Sequence, residues 1–185
     1  PRYYVYNAYG VCGIYSAPGT AVKEAYDTSG IVTNDRGVTV WLKGNRVSRN
    51  QIMAIKEESV TEQKNSLAVC LDNILRHAGI TRNTEYDLAQ GKTATTILSE
   101  NMTGVQVLDL SGCTLDAVLY YVNQDIPVLA ILDDGEAVLV TGFNEFNVVI
   151  MEPATGKLYK KGMNDATAWF AENGNHFITY MRTEN

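Results

Sequence analysis

Histidine is almost absent from this chain: His77 and His176 are the only 2 imidazoles in 185 residues. A general base working near neutral pH and a transition-metal site both draw on that side chain, so its scarcity narrows the chemistry before any motif is considered. Cysteine is nearly as sparse. Cys12, Cys70 and Cys113 are odd in number and widely spaced, which yields neither a disulfide framework nor a zinc-ligand set. No metal or cofactor is expected. Basic residues are outnumbered, 15 Lys and Arg against 21 Asp and Glu, for a net charge of -6. Phosphate backbones are held by clustered Lys and Arg, which this sequence lacks, so nucleic acid is not an expected partner. Long hydrophobic runs are missing too: a stretch such as 126–132 is far too short to cross a bilayer, and membrane insertion is not expected. The chain begins at Pro1 without a methionine and is therefore expected to be a processed or excised piece of a longer protein.

What the chain does contain is ample material for a core, 45% hydrophobic residues with charge on only 19%. Nothing in that balance points to disorder. Two short strands are predicted at 3–6 and 11–15 around a turn at Tyr9-Gly10, then a helix from Pro18 to Tyr26 with proline in its first turn, closed near Gly30. A hairpin follows, 31–33 and 38–42 about the turn Asn34-Asp35-Arg36-Gly37. Residues 1–50 thus make a small ββαββ subdomain, near the lower size limit for independent stability, and it is expected to lean on residues 51–185. Its tyrosines suit half-buried strand positions rather than a ligand platform.

Beyond a polar segment at 44–51, a helix is predicted from Ser59 or Asn65 to Ala78, with Leu67, Leu71, Ile74, Leu75 and Ala78 on one face and Gly79 as its stop. A second helical region spans 84–102 behind an N-cap at Asn83-Thr84. Gly91-Lys92-Thr93 echoes the end of a phosphate-binding loop, but Tyr86 stands where its first glycine is needed, so it is read as a helix interruption. A strand at 105–108, a helix at 114–122 capped by Thr114 and a buried strand at 127–132 come next. From there the pattern is mostly β: 137–143, 147–151 and 157–159, then a helix at 164–172 and a closing strand at 176–181.

The richest stretch is Asp133-Asp134-Gly135-Glu136-Ala137-Val138-Leu139-Val140-Thr141-Gly142-Phe143, which continues through a second apolar strand to Glu152-Pro153. Its acidic start could suggest calcium, yet Asp-Gly between two apolar strands is first of all a hairpin turn. Helices first and an antiparallel sheet second resembles the order of a papain-like fold, in which a nucleophile opens the first long helix and a base on a facing strand takes its proton. The segment 66–80, Ser-Leu-Ala-Val-Cys-Leu-Asp-Asn-Ile-Leu-Arg-His-Ala-Gly-Ile, resembles the nucleophile helix of the double-glycine (bacteriocin-leader) peptidase family within the papain-like cysteine peptidase superfamily. In that family a Cys-Gly-Pro-Ala tetrad begins a helix ending in a leucine-rich, Gly-terminated turn. Residues 136–142 are similar to its His-x-Val-x-x-x-Gly strand and Glu152-Pro153 to its Asp-Pro, while Gly156-Lys157 and the Trp169-Phe170 helix fit its tail. The likeness runs from about 59 to 182.

The departures fall on the chemistry. Counting back from Gly79, the family's cysteine lands on Ser66, its glycine on Leu67 and its proline on Ala68; its histidine lands on Glu136 and its aspartate on Glu152. Gln63 is a candidate for the oxyanion-hole glutamine, although it lies nearer to Ser66 than the family's spacing puts it. A carboxylate is too weak a base to activate a serine hydroxyl near neutral pH, and two facing carboxylates raise one another's pKa without replacing an imidazole. Cys70 is the alternative nucleophile, the thiol on this helix, but it lies one turn inside, where the dipole helps little and packing neighbours are expected. His77 falls at the helix C-terminus, where the dipole favours a cation, and His176 opens the last strand; neither has a cysteine partner in sequence.

The resemblance therefore implies an α+β, papain-like cysteine peptidase fold with an N-terminal helical half and a C-terminal antiparallel sheet, preceded by the small ββαββ subdomain. It implies a pseudopeptidase with no working catalytic set at Ser66, Glu136, Glu152 and Gln63, acting as a peptide- or protein-binding or structural module of a larger protein. The alternatives are an active cysteine peptidase or amidase using Cys70, and a rigid spacer without ligand. The expected partner is a peptide or protein segment in the cleft between the two halves. Family habit adds an expected location, secreted or on the surface of a Gram-positive bacterium.

Overall fold

The computed structural model describes residues 1–43 and 65–183. The N-terminal part is a small sheet carrying one helix. Strands β1 (Tyr3–Asn7) and β2 (Gly10–Tyr15) form a hairpin, α1 (Pro18–Thr28) crosses behind them, and β3 (Ile31–Thr33) and β4 (Thr39–Leu42) complete an antiparallel sheet of order β2-β1-β3-β4. Pro18 sits at the start of α1, as its fixed φ and missing N–H favour. The helix closes one residue earlier than Gly30 suggests: Ser29 takes the left-handed conformation, φ 55°, and its N–H bonds to the Ala25 carbonyl. Gly30 is required for another reason, since a Cβ there would stand 2.5 Å from the Tyr6 carbonyl oxygen.

Alternation along these strands sorts their side chains onto two faces. Val5, Val32 and Trp41 face one another across three strands and are buried, alongside Ala21, Val22 and Ala25 of α1. The other face carries Tyr6, Val11, Ile31 and Leu42, all exposed.

The small sheet leans on the rest of the chain through specific bonds as well as apolar packing. The Trp41 indole N–H donates to the Ala117 carbonyl at 3.0 Å, and the Tyr121 hydroxyl donates to the Val40 carbonyl at 2.8 Å. Tyr26 donates to Asp116 at 2.9 Å. Gln106 accepts from the Asn34 amide at 3.2 Å and donates to the Tyr3 hydroxyl at 2.7 Å. Buried residues of both parts belong to one continuous core.

The larger part begins with three helices. They are α2 (Ser66–His77), α3 (Thr84–Ala89) and α4 (Ala94–Asn101), with the expected interruption at Gly91, φ 84°, between the last two. β5 (Val105–Asp109), α5 (Leu115–Val122), β6 (Val128–Ile131), β7 (Ala137–Phe143), β8 (Asn147–Glu152), β9 (Lys157–Gly162), α6 (Met163–Glu172) and β10 (His176–Arg182) follow. The antiparallel sheet has the order β5-β10-β6-β7-β8-β9, so β10 enters between two strands that precede it by many residues. Leu71, Ile74 and Leu75 of α2 are fully buried, as are Leu115, Val118 and Leu119 of α5. Both helices pack on β7, every residue of which is buried.

Candidate functional site

The site is the seam where the start of α2 meets the start of β7. Asn65 is the N-cap of α2: its side-chain oxygen accepts from the Leu67 and Ala68 amides at 2.9 and 3.3 Å, satisfying two of the donors that a helix start leaves orphaned. That cap fixes where the helix begins and so makes Ser66 its first residue. The Ser66 Oγ accepts a hydrogen bond from the Ala137 backbone N–H at 2.9 Å. This single bond joins the helical half to the sheet at the residue that follows Glu136.

Glu136 itself completes the hairpin turn rather than the strand. Gly135 donates to the Leu132 carbonyl at 2.9 Å with φ 86°, and the Leu132 N–H returns to the Glu136 carbonyl at 2.7 Å. A left-handed residue is needed there, which glycine supplies without steric cost. The Glu136 N–H donates to Asp134 at 2.9 Å, and the Glu136 side chain is exposed. No group of three or more His, Cys, Asp or Glu side chains is placed to hold a metal ion among the described residues.

Glu152 ends β8 and is half-buried. Leu139 faces Met151 across the β7–β8 ladder, so one further antiparallel step brings Glu152 opposite Val138, two residues from Glu136. One of its carboxylate oxygens accepts from the Ala154 amide at 3.3 Å. The carboxylate is also close enough to Cys70 for its charge to be felt. The Cys70 side chain is fully buried, and its thiol pKa is held well above the ordinary value, first by loss of solvent and then by the Glu152 charge. Both effects keep the proton on sulfur, the opposite of what an activated nucleophile needs.

Neither imidazole serves this seam. His77 lies at the far end of α2, roughly 16 Å along the axis from Ser66 at helical rise, and its Nε2 is 3.1 Å from the Asp125 carbonyl oxygen. His176 is placed more suggestively: it faces Ile131, which faces Ala137, so it shares a row with the seam. Two strand spacings, about 10 Å, still separate it from Ala137. Its Nε2 stands 4.0 Å from an Asp109 carboxylate oxygen on the other side. Gln63 lies outside the described residues. A concavity of about 330 Å³ lies elsewhere, lined by Asn34, Asp35, Arg36, Val105 and Gln106 among others, at the junction of the small sheet with β5.

Sequence patterns brought Ser66 to a helix start and Glu136 to a hairpin. The acceptor–donor link between Ser66 and the Ala137 amide was missed, because a backbone N–H carries no residue-type signal. Asn65 was read only as one of two possible helix starts, and its role as the N-cap emerges from the structure.

No family model matches the chain, and no curated protein matches it. Among solved structures it is similar to a crystal structure of a Bacillus anthracis protein described as a C39-like peptidase, with a TM-score of 0.60 and 12% identity over 74% of this chain and 100% of that one. At that identity the likeness is one of fold. The chain is α+β, with a small N-terminal sheet, helices and a six-stranded antiparallel sheet, and over the matched 74% it has the fold of a C39-like peptidase.

Proposed function

We propose that this chain is a catalytically inactive relative of the papain-like peptidases that holds a peptide or protein segment along the seam between its helical and sheet halves. The observation that carries the reading is the bond between the Ser66 hydroxyl and the Ala137 N–H. Where a peptidase of this fold would need a thiol facing an imidazole, the helix start offers a hydroxyl tied to backbone, and the neighbouring side chain is the exposed carboxylate of Glu136. Among the described residues no proton acceptor of suitable strength stands beside that hydroxyl. The alternative nucleophile, Cys70, is disfavoured by its burial and raised thiol pKa. A secreted or surface-exposed setting would suit such a binding module, and that setting is part of the proposal.

Two measurements test it. Incubation of the folded protein with a thiol-alkylating peptide probe is expected to leave Cys70 unlabelled; rapid stoichiometric labelling that unfolding abolishes would replace the binding reading with an active cysteine peptidase. Screening extended peptides by heteronuclear NMR is expected to yield ligands that shift the Ser66, Ala137, Glu136 and Glu152 amides. Binders that shift only distant amides, or none at all, would leave a structural spacer as the role.

A further inference from the structure

We propose that the outer face of the small sheet is a contact surface between two copies of this chain. The inference is independent of the seam and rests on the register of four strands. Val11 faces Tyr6, Tyr6 faces Ile31 and Ile31 faces Leu42, so one apolar row crosses β2, β1, β3 and β4 without a break. These side chains are 55%, 37%, 43% and 38% exposed, and Ile14, paired with Tyr4 in the next row, is 55% exposed. Beyond them that row continues only into Thr33 and Thr39. The helix α1 and the larger part of the chain cover the opposite face, leaving this one without a partner among the described residues.

Charge and area select the occupant. The strand positions on this face hold no charged residue, in a chain whose net charge is -6. Two acidic molecules repel over most of their surfaces, and this is a face on which they can meet with no like-charged pair between them. An isologous contact needs only a surface complementary to itself, which a flat aliphatic and aromatic row provides. A strongly charged partner would find nothing here to read. At about 200 Å² for a fully exposed side chain of this size, the row together with Ile14 presents on the order of 450 Å² of apolar surface. A standard interface buries about 800 Å² per partner, of which about 65% is apolar in homodimers, so the row has the size of the core of such a contact.

The geometry favours face-to-face stacking over edge pairing. Both edge strands are irregular, β2 at Cys12 and β4 at Val40, where the registers with β1 and β3 shift, and such a shift spoils the ladder that another strand would have to join. Two copies would instead stack their sheets about 10 Å apart about a two-fold axis.

Sedimentation equilibrium of the 185-residue chain over about 1 to 100 μM tests the proposal. The mass is expected to rise from 20.4 kDa toward twice that value. Ile31→Glu and Val11→Glu are expected to raise the dissociation constant about a hundredfold or more by setting carboxylates against each other across the axis, with the circular dichroism spectrum unchanged. Ile31→Thr keeps strand propensity and guards against loss of folding in the charged variants. A nitroxide on Cys12, the exposed one of the three free cysteines, is expected to show dipolar broadening that Ile31→Thr weakens. A single 20.4-kDa species at every concentration would overturn the proposal, even if hydrogen exchange then showed the face protected by another part of the chain. So would a dimer that none of these substitutions disturbs.

Discussion

Ser66 shows how far one hydroxyl can go as a structural rather than a reacting group. Its oxygen satisfies the part-buried Ala137 N–H, so Ser66→Ala removes the acceptor and strands that donor. The expected loss is about 1 to 2 kcal/mol of unfolding free energy, read from urea denaturation with an unchanged m-value. The buried thiols govern a different behaviour. Burial pushes the Cys113 thiol up to about 12, whereas in the unfolded chain it ionises near about 8.5. Between those values the folded protein keeps a proton that the unfolded chain gives up. The Cys113 contribution is therefore fully present below about pH 8.5 and is lost as pH rises toward 12. Cys70 and Tyr121, raised by the same desolvation, act in the same direction. Urea midpoints are expected to fall from pH 8 to pH 11, and Cys113→Ala to flatten that fall; an unchanged pH slope in the variant would show that Cys113 is not among its causes.

Elements in this chain were legible to the extent that their signals are local. The helix from Ser66 to His77 follows from leucine spacing and Gly79, with its start left between Ser59 and Asn65, and the β7 hairpin from Asp-Gly between apolar runs. Neighbour relations were not. Nothing in His176–Arg182 states that it pairs with both β5 and β6, because a strand buried continuously from Phe177 to Met181 lacks the alternation that would tell one face from the other. Glycine was legible only in part. Gly30 reads as a helix stop, yet its need is set by a carbonyl of β1, and Gly19 gives no sequence signal at all although a Cβ there would meet the Ser111 carbonyl oxygen at 2.6 Å. That approach lets α1 lie against the loop that follows β5, where Cys113 also donates to the Gly19 carbonyl at 3.3 Å. Gly19→Ala must push backbone from backbone. A loss of about 1 to 3 kcal/mol is expected in chemical denaturation, and a neutral result would mean that α1 can shift freely on that loop.

At the scale of the whole molecule, the small sheet and the larger one share buried residues and are stitched by Trp41 and Tyr121. The two tryptophans report on separate parts: Trp41 on the small sheet, packed with Tyr26 and Tyr120, and Trp169 on α6, with Lys161 over its ring at 4.7 Å. In a Trp169→Phe variant, the Trp41 fluorescence midpoint in urea is expected to coincide with that of far-UV circular dichroism. A Trp41 transition at lower urea would instead mark residues 1–43 as a unit that detaches first. The strand order has a bearing on how the protein is made. Because β10 wedges between β5 and β6, a nascent chain on the ribosome cannot close its larger sheet until residue 182 has emerged. Until then β5 has no neighbour and the β6 edge stands open, a state in which a chaperone or a second nascent chain finds bare strand to grip.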